Sequence, residues 1–281
     1  MTSLLHLTDT HIVPEDRLLH GSVDSYDNLR RALDAAIVSG VPTDAIVLSG
    51  DLADAGEPAA YRRLRSLVEP AAQMLGAEIV YVMGNHDERS AFHAELLDDP
   101  GAGRRSHDTV HDIRGLRLVV LDTTVPGHHH GEIDEAQYAW LRAQLATPAP
   151  EGTVVVLHHP PVPARDELHA VVGFRSPEVL HEVLEGTDVR AVLAGHTHVP
   201  AASVIGSTFL WVGGALAYGF DPTAAAGTLR GRPASAFSRV EVQDGNLTVT
   251  SVQLPDEDEQ PVYEMTAAEM AAAVRALSDA R

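Results

Sequence analysis

Cysteine is absent from this chain of 281 residues. Disulfides, thiolate metal sites, iron–sulfur clusters and cysteine nucleophiles are thereby excluded, and any metal centre has to use nitrogen and oxygen ligands. Basic residues are scarce: 20 Lys and Arg stand against 40 Asp and Glu, a formal charge of −20 with histidine neutral. That balance offers no broad basic face, which argues against a protein that holds a nucleic acid polymer by phosphate neutralisation. Long hydrophobic runs are also missing. The longest apolar stretch, residues 207–220, is too short and too broken by glycine to span a bilayer. The opening MTSLLHLTDTH has no basic region, and His6, Thr8 and Asp9 interrupt its apolar run, so it does not read as a secretory signal. The expectation is a cytoplasmic protein without a membrane span. Two things are plentiful: 44% of residues are hydrophobic, enough for a full core, and histidine occurs 16 times.

The first two hundred residues alternate β-branched apolar runs with helical patterns. Runs ending near Leu7, Leu48, Val82, Leu121, Leu157 and Leu193 read as buried strands. Helices are expected over 24–38, 58–75 (with Pro58 in the first turn), 134–146 and 176–184. Beyond residue 200 the pattern is strand and turn, with a hairpin about Asp244-Gly245. The acidic stretch 255–261 reads as a linker. A last helix follows, opened by a Thr266…Glu269 capping box, with Met270, Val274 and Leu277 on one face suited to packing on the body or on a second subunit.

The chemistry-bearing residues sit just after the strands. The runs lead into Asp9-Thr10-His11, Gly50-Asp51-Leu52-Ala53-Asp54, Gly84-Asn85-His86-Asp87, His158-His159-Pro160-Pro161 and Gly195-His196-Thr197-His198. In open α/β sheets, ligands bind beyond the carboxyl ends of the strands. Each turn alone has an ordinary reading as a cap or a tight turn. Five together, each delivering Asp, Asn or His after an apolar run, point to one metal site. In the Gly-His-Thr-His segment, positions i and i+2 of an extended chain share a side, so both imidazoles can aim at one place. The strand ending at Asp122 has the same apolar lead-in but no His or Asn, and Asp122 is read as structural.

This series of motifs is similar to that of the calcineurin-like metallophosphoesterase superfamily over residues 3–200, and within it most resembles the bacterial class III cyclic nucleotide phosphodiesterases. The resemblance implies an α/β fold, a four-layer αββα sandwich of two mixed sheets, with the β-rich remainder supplying the second sheet. It divides the chain into a catalytic domain, 1–258, and a charged linker with C-terminal helix, 259–281. It implies two metal ions (Mn, Fe, Zn or Co) bridged by Asp51. Asp9, His11 and His198 complete one site; Asn85, through its amide oxygen, His158 and His196 complete the other. His158 rather than His159 is the ligand on the family's interval to His196, and His159 stands behind it. The implied reaction is in-line attack of a metal-bridging hydroxide on a small phosphodiester. His86 stabilises charge or protonates the leaving group, and Asp54 orients a ligand or the bridging water. Asp87 reads equally as a cap for the helix after it.

A cyclic nucleotide, 3′,5′-cAMP or a 2′,3′-cyclic monophosphate, is the expected substrate. A glycerophosphodiesterase or other small phosphoester hydrolase is the alternative, and a non-catalytic scaffold the third reading. Gly-Asp-Leu-Ala-Asp-Ala-Gly lacks the arginine of protein serine/threonine phosphatases, and Asp87 stands where they carry glutamate, which argues against that class. A homodimer is the implied assembly. Residues 216–231, with Tyr218, Phe220 and Arg230, are the segment expected to reach a nucleoside. His128, His129 and His130, in a glycine-flanked loop after the Asp122 strand, read first as a solvated loop, with a place near the cleft as the alternative. His6, His20, His93, His107, His111, His169 and His181 show no ligand pattern and read as structural or surface residues.

Overall fold

The protein is described by a computed structural model that covers residues 1–163, 167–225, 227–255 and 263–279. The chain opens with β1 (Thr2–Leu7), α1 (Ser25–Ser39), β2 (Ala45–Ser49), α2 (Pro58–Leu75), β3 (Glu78–Val82) and α3 (Arg89–Leu96). It continues through β4 (Thr109–Ile113), β5 (Leu116–Val120), α4 (Glu135–Leu145), β6 (Thr153–Val156), α5 (Glu167–Val172), α6 (Pro177–Leu184) and β7 (Val189–Ala194). The last part comprises β8 (Ala201–Ile205), β9 (Thr208–Val212), β10 (Gly219–Phe220), β11 (Gly231–Arg232), β12 (Ala236–Gln243), β13 (Asn246–Gln253) and α7 (Ala267–Asp279).

Two large sheets form, ordered β13-β12-β1-β2-β3 and β4-β5-β6-β7-β9-β8. Both are mixed. β1, β2 and β3 run parallel, as do β5, β6, β7 and β9, with antiparallel strands at the edges. Successive residues of a strand point to opposite faces, so an apolar run feeds two cores at once. Leu4 of β1 and Val47 of β2 face β5–β7 across a core that also holds Leu118, Val120, Val154, Val156 and Leu193. Their neighbours Leu5 and Leu48 turn the other way, onto Leu29 and Leu33 of α1, Tyr61 and Leu64 of α2 and Phe92 of α3. On the far side of the second sheet, Val155 and Val192 pack with Leu141 of α4 and Leu180 of α6. Three cores between four layers make the αββα sandwich.

The helix ends follow local chemistry. Asp24 caps α1 by accepting from the Asp27 N–H, and α2 begins at Pro58 and stops at Gly76 in a left-handed conformation. Asp134 and Gln137 close a reciprocal capping box on α4.

One expectation is corrected. The β-rich remainder does not supply the second sheet as a unit. β8 and β9 join it, but β12 pairs antiparallel with β1, Leu4 opposite Val240, and carries β13 into the first sheet. Val240 and Val242 are buried in the core between the sheets, which is what draws this hairpin to the β1 edge. The short edge strand β4 and the short helices α3 and α5 carry little apolar periodicity, and the pattern reading passes over them.

In α7 the capping box is present: the Thr266 N–H donates to Glu269 Oε2 at 2.8 Å, and the Glu269 N–H to Thr266 Oγ1 at 3.3 Å. Met270 and Val274 are 60% and 57% exposed, so they are not buried on the body of the protein. Residues 256–261 of the linker, with them the 258/259 boundary, and the side chain of Leu277 lie outside the described residues. Among the described residues, no helix is long and apolar enough to cross a membrane.

Candidate metal centre

The turns that follow β1, β2, β3, β6 and β7 converge. Asp9, His11 and His198 offer ligand atoms within 4.8 Å of one another, as do Asp9, Asp51 and His158, and the trio His158, His159 and His196. A further group, His11, Asp54 and His86, is equally close. Asp9, His11, Asp51, His158 and His198 are all buried.

The backbone bends sharply to reach this arrangement. Asp9, His11, Asp51, His196 and His198 all have positive φ, between 41° and 72°, a region costly for residues with a side chain. Tertiary hydrogen bonds hold them there. The Asp9 N–H donates to Gly50 O (3.0 Å), the His11 N–H to Asp51 O (2.9 Å), and the His196 N–H to the Asp9 carboxylate (3.0 and 3.1 Å). Glycine precedes the ligand-type residues because the turns touch. A Cβ on Gly50, which has φ of +97°, would lie 2.4 Å from His158 Nδ1, and one on Gly195 would lie 1.9 Å from Thr8 Oγ1.

Each imidazole is oriented through one nitrogen. His158 donates from Nδ1 to Ser49 O (2.9 Å), His198 from Nδ1 to Tyr218 O (2.8 Å), and His196 from Nε2 to Val172 O (3.0 Å). His11 donates from Nδ1 to Asp54 Oδ1 (3.1 Å). The remaining nitrogen of each ring keeps a lone pair. His159 differs. Its Nε2 donates to His129 O (3.2 Å) and its Nδ1 accepts from Thr123 Oγ1 (2.8 Å), so both nitrogens are occupied.

The free nitrogens face one another. Nε2 of His11 and Nε2 of His198 are 3.1 Å apart, and each lies close to a carboxylate: His198 to Asp9 at 3.4 Å, His11 to Asp51 at 3.6 Å. His158 Nε2 sits 3.3 Å from Asp51 Oδ2 without a hydrogen bond, and the buried Oδ1 of Asn85 likewise has no hydrogen-bond partner. Lone pairs so crowded need a cation, either a proton or a metal ion, to share. Nitrogens about 2.1 Å from one ion lie about 3.0–3.4 Å apart at ordinary coordination angles, so the donor set fits a metal.

The charge balance agrees. Burial works to raise Asp51 and Asp9, but His158, His11 and His86 around the first and His198 beside the second outweigh it and hold both carboxyls well below the usual range. Burial lowers His158, yet the Asp51 carboxylate lifts it to about 9. Burial also drives His196 down to about 3, which keeps it a neutral donor.

His86 lines the cleft above these groups. Its N–H donates to Asp51 Oδ1 (2.9 Å) and its Nδ1 to Asp54 O (2.7 Å). Asp54 therefore orients two histidines, one through its carboxylate and one through its carbonyl.

Some placements differ from the sequence reading. Asp87 does not cap α3; Glu88 does, accepting from the Ala91 N–H. The Asp87 carboxylate instead takes the N–H groups of Leu52, Ala53 and Gly84 and the hydroxyl of Tyr61, buckling the Asp51 turn to the Asn85 turn. Burial, with the Asp51 charge, pushes it up to about 6. His129 is not merely part of a solvated loop: its Nδ1 accepts from the Asn85 amide at 3.1 Å, and it lines the cleft. His169 also lines the cleft rather than standing apart from it. Tyr218 and Phe220 reach the cleft, while Arg230 turns away to Asp221. Asp122 is buried and holds Thr124 and Arg89. The sequence carries no sign of the Tyr61–Asp87 buckle, which joins a helix interior to a loop; for His129 the one signal was a histidine in a glycine-flanked loop.

A two-sheet sandwich with Asp, Asn and His gathered at its strand ends defines a metallophosphoesterase scaffold, and the chain belongs to the calcineurin-like phosphoesterase family, which matches residues 2–200. A cAMP/cGMP dual specificity phosphodiesterase of Mycobacterium tuberculosis is 52% identical over 229 residues, covering 82% of this chain and 72% of that protein. A probable cyclic nucleotide phosphodiesterase of Rhodococcus erythropolis is 42% identical over 252 residues, 89% of this chain and 83% of that one. A dimetal phosphatase from Danio rerio, only 14% identical, shares the fold with a TM-score of 0.64 over 90% of this chain and 98% of its own.

Proposed function

We propose that this protein is a metal-dependent phosphodiesterase acting on cyclic nucleotides, with 3′,5′-cAMP or a 2′,3′-cyclic monophosphate as substrate. The observation that carries this reading is the pair of facing Nε2 atoms of His11 and His198, 3.1 Å apart beside two buried carboxylates. Asp9, His11, Asp51 and His198 would hold one metal ion, and Asp51, Asn85, His158 and His196 a second. Bound there, a pair of Mn, Fe, Zn or Co ions supplies Lewis acidity and lowers the pKa of water.

The protein's own groups do the rest. Asp54 keeps the His11 ring turned, and its carbonyl accepts from His86 Nδ1–H, so that with the ring doubly protonated Nε2 is the atom from which a proton reaches the leaving alkoxide. The small cleft, about 160 Å³, suits a compact diester. The −20 surface disfavours a nucleic acid polymer, while its screening beyond about 8–10 Å leaves the site itself open to an anion. Residues 1–258 form the catalytic unit in this reading. A cytoplasmic enzyme, with access to the nucleotide pool, and a homodimer go with it.

The test is a substrate panel on manganese-loaded protein: cyclic nucleotides, glycerophosphodiesters, phosphomonoesters and bis(p-nitrophenyl) phosphate. Cyclic nucleotide hydrolysis that Asp51→Ala abolishes is expected. Glycerophosphodiesters turned over orders of magnitude faster than cAMP would overturn the substrate, and no hydrolysis of anything would leave a scaffold.

A further inference from the structure

Two Arg–Asp ion pairs, both largely buried, stand at opposite ends of β5. Arg117, near the start of the strand and away from the cleft, pairs with Asp188 at 2.9 Å, the side chains 14% and 13% exposed. Asp122, just past the end that faces the cleft, pairs with Arg89 at 3.0 Å, the side chains 0% and 16% exposed. Taking two charges out of water costs so much that such a pair adds little stability over apolar side chains of the same size. What it supplies is directed geometry.

The residue fixed by Arg89 and Asp122 is Thr124. Asp122 Oδ1 accepts from the Thr124 N–H (2.9 Å) and from its hydroxyl (2.6 Å), while Arg89 Nη2 donates to the Thr124 carbonyl (2.9 Å). Thr124 in turn bridges to Gly131 and closes the loop that carries His129. His129 Nδ1 accepts from the Asn85 side-chain amide at 3.1 Å, and Asn85 Oδ1 is left buried with no hydrogen-bond partner. Arg89, the first residue of α3, lies four residues beyond Asn85. The contacts therefore make a closed ring: along the chain from Asn85 to Arg89, across the ion pair to Thr124, around the loop to His129, and back to Asn85. The Asn85–His129 hydrogen bond is exposed, and one such bond contributes too little to hold two loops in register. The buried pair closes the ring from the other side and sets how far His129 stands from Asn85.

Resting on the dimetal phosphodiesterase reading, we propose that the Arg89–Asp122 pair is a positioning device for the second metal ion, acting through Thr124 and His129 to hold the Asn85 amide with Oδ1 free for that ion. Asp122 and Arg89 touch neither metal nor substrate in this role. The Arg117–Asp188 pair, by contrast, holds the Ala149 N–H and the Thr153 hydroxyl at the other end of the sheet.

The test is calorimetric titration of manganese into the metal-free full chain. The unaltered protein takes up two ions. Asp122→Asn weakens one of them by about 10- to 100-fold, the usual cost of losing a group that stands behind a metal ligand, and leaves the other unchanged. Asp188→Asn breaks a pair of the same kind and similar burial; its urea midpoint falls, but both ions bind as in the unaltered protein. His129→Ala weakens the same ion as Asp122→Asn, and the double variant weakens it no further, because two groups on one path are not additive. Should Asp122→Asn fail to fold, Arg89→Lys takes its place: the ammonium keeps a charge beside Asp122 but lacks the planar fork that reaches Thr124 as well, and one ion is weakened by about 10-fold. Two ions held as tightly in these variants as in the unaltered protein, or an equal loss in Asp188→Asn, overturns the positioning role alone. An additive loss in the double variant overturns the path through His129. Fewer than two ions in the unaltered protein overturns the dimetal reading, and the role falls with it.

Discussion

The side-chain amide of Asn85 donates to Nδ1 of His129 at 3.1 Å, and that contact decides which end of the amide faces the metal cleft. With Nδ2 engaged, Oδ1 is the buried, unpartnered atom. His129 is itself held from behind by the His159 Nε2–H, which donates to its carbonyl at 3.2 Å, and by the bridge between Thr124 and Gly131 that closes the loop. His129→Ala is expected to lower kcat by about 10- to 100-fold with KM little changed, the usual cost of losing a group that orients a ligand. His129→Gln, which keeps an acceptor, restores part of it. Steady-state kinetics on both variants checks this. An unchanged kcat in the alanine variant rules the role out.

The Asp87–Tyr61 buckle makes a prediction about stability. Asp87→Asn keeps the shape but replaces one acceptor oxygen with an amide nitrogen facing backbone N–H donors. Buried donors lose partners, at a cost of about 2–4 kcal/mol in total. Tyr61→Phe removes one donor to Asp87 and the acceptor for the Glu88 N–H, and costs about 1–2 kcal/mol. Urea denaturation of the metal-free proteins measures both, and the asparagine variant is expected to be the less stable.

Gly195 is predicted to tolerate no side chain. In Gly195→Ala the new Cβ would lie 1.9 Å from Thr8 Oγ1 and 2.6 Å from Asp9 Oδ2, neither at the end of a long flexible chain. The β7 and β1 turns must separate, which costs about 1–3 kcal/mol as overpacking and displaces Asp9. The thermal midpoint falls, and the gain in midpoint on adding manganese is lost with it. Gly195 is not among the glycines with positive φ, so the cost comes from these contacts and not from backbone strain.

Acid sensitivity is predicted from a histidine remote from the cleft. His107 is buried between Phe92 and His93, and burial, aided by the neighbouring histidines, lowers it from 6.5 to about 4. The unfolded chain takes up this proton as pH falls through 6.5, whereas the fold refuses it until about 4. The stability it contributes is therefore full above 6.5 and is lost as pH drops toward 4, on the order of 2–3 kcal/mol. His107→Asn flattens the stability–pH curve across that window in metal-free protein. Parallel curves for the two proteins would refute the assignment.

The extent to which the sequence determines this protein follows from the range of each interaction. Local signals were enough for the parallel strands, since a strand buried on both faces has to be apolar throughout, as Val154 to Val156 are. They were enough for α1, α2 and α4, whose starts are set by Asp24, Pro58 and Asp134 within one turn. They also brought the Asp, Asn and His residues to notice, because each follows directly on an apolar strand. The absence of cysteine by itself restricts any metal centre to nitrogen and oxygen ligands.

Only the tertiary structure decided how these pieces meet. Which sheet receives β12 depends on Val240 finding Leu4 across 236 residues of chain, and no local pattern carries that. Which nitrogen of His158 or His196 stays free depends on a carbonyl from another segment, Ser49 or Val172. His129 and the Tyr61–Asp87 buckle act through partners 26 to 44 residues away, reached by single hydrogen bonds that leave no periodicity in the sequence. Periodicity records what a residue buries; the directed contacts of a polar site appear only once the chain has closed on itself.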